Sequence, residues 1–85
     1  MKITILYFAS LREALGTERE SVELPPHVVT ASHLRAWLCE RGGVWSESLA
    51  EGRALRMAVD RKLASPDSRL SDGIEVAVFP PVTGG

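Results

Sequence analysis

The sequence closes on Phe79-Pro80-Pro81-Val82-Thr83-Gly84-Gly85, directly after an alternating, strand-like run. Glycine has no Cβ and accepts nearly any backbone conformation, so Gly84 and Gly85 could thread a channel too narrow for a side chain and present the Gly85 carboxylate to an enzyme. Two terminal glycines arise by chance in about one chain in 200, so the pair must be weighed against the rest of the chain. Pro80-Pro81 fixes φ, favours an extended polyproline-like path and donates no hydrogen bond to a sheet. The pair therefore reads both as the stop of a strand and as a spacer between a folded body and the glycines.

Nothing else in the chain groups into reactive chemistry. His27 and His33 lack partners at metal-ligand spacing, and Cys39 is the one cysteine, without a second thiol for a disulfide or redox motif. The Asp and Glu residues form no recognisable acid/base pair or nucleotide loop, so we expect no metal or cofactor bound by the chain and no enzyme activity of its own. The 85 residues, 45% of them hydrophobic, suffice for one core but not for an internal catalytic cleft. A net charge of −1 with both signs interspersed argues against nucleic acid and anionic membrane as partners. Met1 to Leu6 begins a strand pattern rather than a signal peptide, and no apolar run approaches the roughly 20 residues of a membrane span. With the lone Cys39, these features lead us to expect a cytoplasmic protein.

The elements that must position the tail follow from periodicity. Lys2 to Ala9 alternates as a strand, with Ile3, Ile5 and Tyr7 on one face and Thr4, Leu6 and Phe8 on the other. Ser10-Leu11-Arg12-Glu13 has capping-box spacing, and Gly16 stops a short helical connection. A second strand spans Ser21 to Leu24 and closes at Pro25-Pro26, forming a hairpin with the first. Thr30 caps the main helix, whose apolar stripe is Ala31, Leu34, Trp37 and Leu38, with Gly42-Gly43 at its end. A helical turn fits Ser46 to Leu49. Leu55, Met57 and Val59 then alternate as a strand, Asp60-Arg61-Lys62 turns into Leu63-Ala64, and Asp72-Gly73 turns into a final strand carrying Ile74, Val76 and Val78. Trp37 is expected in the core; Trp45 has no evident place.

The order ββαβββ fits an α+β fold of the β-grasp, ubiquitin-like kind, with a mixed sheet and one main helix packed on one face. Residues 1–79 form the domain and 80–85 a flexible tail in this reading. If the first and last strands pair in parallel at the centre, their ends, Phe8 and Phe79, lie near one edge and point away from the helix. Large apolar side chains exposed together suggest a partner surface. Leu63 could extend that patch, and Arg12 could pair with an acidic patch on the partner.

The run Asp72-Gly73-Ile74-Glu75-Val76-Ala77-Val78-Phe79-Pro80-Pro81-Val82-Thr83-Gly84-Gly85 resembles the C-terminal signature of the molybdopterin synthase sulfur-carrier subunits, a family of ubiquitin-like sulfur carriers. Leu6-Tyr7-Phe8-Ala9, Leu11-Arg12-Glu13 and Gly16 resemble the start of the same family. The resemblance implies that an adenylating enzyme similar to ubiquitin-activating enzymes joins Gly85 to AMP from ATP, and that sulfur displaces AMP to leave a thiocarboxylate. It further implies a large synthase subunit, in a heterotetramer of two small and two large subunits. There Pro80, Pro81, Val82, Thr83 and Gly84 would insert, and sulfur would pass to cyclic pyranopterin monophosphate. Sulfur donation in another pathway such as thiamine, and a ubiquitin-like modifier or interaction domain, are the alternatives.

Overall fold

Alternating apolar residues at 3, 5 and 7 build a first strand whose inward side chains are almost wholly buried. The computed structural model describes residues 1–81. In chain order the elements are β1 (Lys2–Tyr7), α1 (Ala9–Leu15), β2 (Arg19–Glu23), α2 (Ala31–Cys39), α3 (Val44–Leu49), β3 (Arg56–Val59), β4 (Lys62–Leu63) and β5 (Glu75–Phe79). The five strands form one mixed sheet in the order β2-β1-β5-β3-β4. β1 and β5 run parallel at its centre, with Ile5 opposite Val76 and Tyr7 opposite Val78, and the other pairings are antiparallel. This is the expected α+β, β-grasp arrangement.

One sheet face carries Ile3, Ile5, Tyr7, Met57, Val59, Val76 and Val78 against Leu34 and Leu38 of α2 and Leu11 and Leu15 of α1. Thr30 caps α2 as expected, its hydroxyl accepting from the His33 N–H at 3.2 Å. Replacing Thr30 by alanine should cost about 1 kcal/mol, which a shift in the urea midpoint at unchanged m would register. Trp37 is half-buried and packs on the core rather than within it.

Three sequence expectations change. The capping box at Ser10 does not form: Phe8 is the N-cap of α1, without a side-chain cap, and Ser10 lies inside the helix. Parallel pairing explains the earlier start, because the Phe8 N–H donates to Val78 O (3.1 Å) while the Phe8 carbonyl accepts from Leu11 and Arg12. Ala9, at φ 52°, then turns the chain from β1 into α1, so β1 ends at Tyr7 rather than Ala9. Second, β2 begins at Arg19, two residues before the expected start, because β1 supplies partners as far as Leu6. Third, Ile74 precedes β5 and is only half-buried, its N–H taken by Ser71 O. Gly16 ends α1 at φ 67°, as its position suggested.

Trp45 finds its place at the end of the core, edge-on to Tyr7 with ring centroids 5.5 Å apart. The Arg41 guanidinium lies 4.3 Å from the Trp45 ring centre and grips both carboxylate oxygens of Glu20 at 2.9 Å, while the Tyr7 hydroxyl donates to the same carboxylate. Arg41's hydrogen bonds, aided by Tyr7, hold the Glu20 carboxyl below its ordinary value against partial burial; burial, then Glu20, pushes the Tyr7 phenol well above its own. Because Glu20 titrates lower in the folded than the unfolded chain, its contribution is present above the ordinary carboxylate range, about 4.3, and is lost as pH falls through the folded value. Glu20→Gln should therefore flatten the acid limb of a Tm-versus-pH curve and lower Tm at neutral pH, by about 4–8 °C for each kcal/mol lost. Superimposable acid limbs would remove this cluster from the acid response.

Candidate functional site

The parallel β1–β5 pair brings the end of the last strand out of the middle of the sheet. Across the face opposite the core, Leu6, Ala77, Ala58 and Leu63 stand side by side on four neighbouring strands, since each is paired with the next in register. Phe79 lies two residues beyond Ala77 on that face and is half-buried, and Phe8 follows Leu6 in the same sense. Phe8 is 46% exposed and Leu63 70% exposed, the largest apolar exposures of the described chain together with Val44. Phe8 and Phe79 thus lie on this outer face, as the period of two implied, and Leu63 stands on the same face two strands from β5.

Pro80 follows Phe79 at once, and without an N–H it cannot extend the ladder. It lines a groove of about 270 Å³ together with Ser10, Leu11 and Ala14 of α1, Ser48 of α3, Arg53 and Ala54. Pro81 is half-buried. The expectations for Val82, Thr83, Gly84 and Gly85 fall outside the described residues.

Arg12 is exposed on α1, one residue after the buried Leu11, and makes no ion pair among the described residues. Two arginines that sequence reasoning passed over stand near the end of β5. Arg56 is directly opposite Phe79 in the β3–β5 ladder, on the outer face, because its neighbour Met57 is buried. Arg53 lines the Pro80 groove, and its Nε donates to Glu47 O at 3.1 Å. The backbone here is held by Arg35 of α2, which donates to the carbonyls of Leu49, Ala50 and Arg53. Cys39 donates its thiol to Leu49 O at 3.1 Å, a tie between α2 and α3. Only the pairing of strands exposes Arg56 as a neighbour of Phe79; no local signal marks it.

Among the described residues no group of His, Cys, Asp and Glu is arranged to hold a metal ion, and no helix is long and apolar enough to cross a membrane. Apolar side chains and exposed arginines thus lie near the end of the last strand.

The ThiS family model matches residues 5–85. The molybdopterin synthase sulfur carrier subunit of Escherichia coli (strain K12) is 41% identical over 83 residues, covering 98% of this chain and 99% of that protein. A putative molybdopterin converting factor, subunit 1, from Pyrococcus furiosus is similar in structure with a TM-score of 0.78 at 30% identity, covering 96% of this chain and 99% of its own. A chain of the protein–protein complex of subunits 1 and 2 of molybdopterin-converting factor from Helicobacter pylori 26695 shares the fold, with a TM-score of 0.67 at 22% identity over the whole of both chains. A β-grasp domain with this central parallel pair, matched nearly end to end by these relatives, belongs to the ThiS family and is a relative of the molybdopterin synthase sulfur carrier subunits.

Proposed function

We propose that this chain carries sulfur for molybdopterin synthesis on the carboxyl of Gly85. A carboxylate is a poor electrophile, so the activating enzyme first lets a Gly85 oxygen attack the α-phosphate of ATP, releasing pyrophosphate and leaving a mixed anhydride with AMP. A sulfur nucleophile then attacks the carbonyl carbon; the C–S bond forms, the C–O bond to AMP breaks, and AMP leaves. The thiocarboxylate enters the large synthase subunit, which supplies the catalytic groups; its sulfur bonds to a carbon of cyclic pyranopterin monophosphate in place of an oxygen, and water cleaves the Gly85 carbonyl–sulfur bond, returning the Gly85 carboxylate. Two charged carriers are consumed for each dithiolene, in keeping with a heterotetramer of two small and two large subunits.

What supports this reading is that Phe8 and Phe79 lie together on the outer face at the ends of the two central strands, where the chain leaves the sheet. One docking event can then hold the body by this face while Pro80, Pro81, Val82, Thr83 and Gly84 extend Gly85 into the partner, with backbone hydrogen bonds supplying affinity. The end-to-end identity to a sulfur carrier subunit of molybdopterin synthase supports the choice of pathway. The experiment is to mix thiocarboxylated chain with the cognate large subunit and cyclic pyranopterin monophosphate. Dithiolene formation consuming two carriers per pterin is the expected result; no sulfur transfer, with conjugation of Gly85 to lysine in cell extracts, would contradict it.

A further inference from the structure

Resting on that reading, we propose that Arg53 and Arg56, with Arg12, form a guanidinium collar at the tail exit that pairs with carboxylates around the mouth of the protein channel receiving the tail. The three side chains are exposed, and none has a carboxylate partner among the described residues. The ion pairs that are present lie at β2 instead, Met1 to Glu23 at 3.0 Å and Arg41 to Glu20 at 2.9 Å. Glu13, Glu47 and Glu51 lie close by in the chain, and none of them forms an ion pair with these arginines among the described residues, so each guanidinium keeps N–H groups free for a partner.

The collar's members come from different parts of the chain. Arg56 stands across the ladder from Phe79, the last strand residue, and Arg53 shares the groove of Pro80. Arg12 is exposed on α1, one residue after Leu11, and lies off the side of the helix by which Ser10, Leu11 and Ala14 line the groove. Arg53 is also held in advance: its Nε is spent on Glu47 O and its own carbonyl accepts from Arg35 at 2.8 Å, so less conformational freedom is lost when its remaining N–H groups find an acceptor.

Distance separates this role from the chemistry at Gly85. Four residues beyond Pro81 reach up to about 14 Å when extended, against a Debye length of about 8 Å at physiological salt, so the collar acts on the rim of the channel rather than on the reacting carboxylate. The apolar centre of Phe8, Phe79 and Leu63 with arginines at its margin matches a protein partner, whose own rim must then be acidic. Rim charges act mainly on encounter rate and salt dependence, whereas the aromatic centre governs residence time.

The test is stopped-flow association of the full chain with its cognate large subunit across a salt series. Arg56→Glu and Arg53→Glu are compared with Arg69→Glu, which makes the same change in net charge in the loop bridged to Thr30, at the opposite end of β1. Each collar reversal should slow association about threefold at low salt, and the pair about tenfold, with a flattened salt dependence; Arg69→Glu should do neither. Arg56 makes no side-chain hydrogen bond among the described residues, so its variant keeps the fold even if Arg53→Glu does not. Collar variants that behave like Arg69→Glu, or that associate faster than the parent chain, overturn the collar. If Phe79→Ala also leaves binding unchanged, or the parent chain does not bind, the carrier reading itself fails.

Discussion

A chain lengthened by one residue beyond Gly85 should lose its adenylation by at least about 100-fold, with no change in Tm. The activating enzyme must hold one carboxylate oxygen in line with the α-phosphate of ATP, and one added residue moves the carboxyl by up to about 3.5 Å. Misplacement by about 1 Å can already cost 10²-fold, because the gain from orientation is confined to a near-attack geometry. The folded body makes no use of the added residue: the sheet ends at Phe79 and Pro80 cannot continue it. Pyrophosphate release measured with extended and native chains, at matched concentration, checks this. Equal rates would mean that the activating site does not read the end of the chain.

Phe79→Ala should weaken association with the large subunit by about 30-fold, or about 2 kcal/mol, mainly through faster dissociation. Phe79 ends β5, the middle strand of the sheet, with Arg56 on β3 to one side and the end of β1 to the other, and aromatics central in an interface dominate most of them. Its backbone pairing does not depend on the ring, and Val76 and Val78 on the other face stay buried, so the domain should remain folded with a modest loss of Tm. Phe8→Ala removes a more exposed ring from the same face and should give a smaller effect of the same kind. Isothermal titration with each variant separates these expectations; undiminished affinity for Phe79→Ala would remove the outer face from the interface.

Much of this was legible in the residues because the informative signals are local and periodic. A period of two in β1 and β5 decided which side chains point inward, and therefore that Phe8 and Phe79 point outward. Thr30 and the stripe of Ala31, Leu34 and Leu38 identified α2, and Gly16 marked a position that requires positive φ. The misreadings share a cause: local propensity was overruled by pairing across the sheet. Ser10 had the spacing of a cap, yet Phe8 caps α1 because β5 holds its N–H and Ala9 turns the chain early. Arg19 and Glu20 look like loop, yet β1 draws them into β2.

The arginines show where local reading ends. Arg12 was legible as an exposed residue near the end of β1, whereas Arg56 becomes a neighbour of Phe79 only through a pairing across more than 20 residues of chain. Trp45 likewise had no assignable role until the fold placed it between Tyr7 of β1 and Arg41 of the turn after α2. Gly84 and Gly85 stood out by residue type alone, and what they do depends on partners that the chain's own periodicity does not describe.

The most direct test of the carrier reading is the intact mass of the chain isolated from its native cells, with and without the activating enzyme. Replacement of one oxygen by sulfur at Gly85, a gain of about 16 Da that depends on that enzyme, is the predicted result. An unchanged mass where the enzyme is active and sulfur is supplied would contradict it.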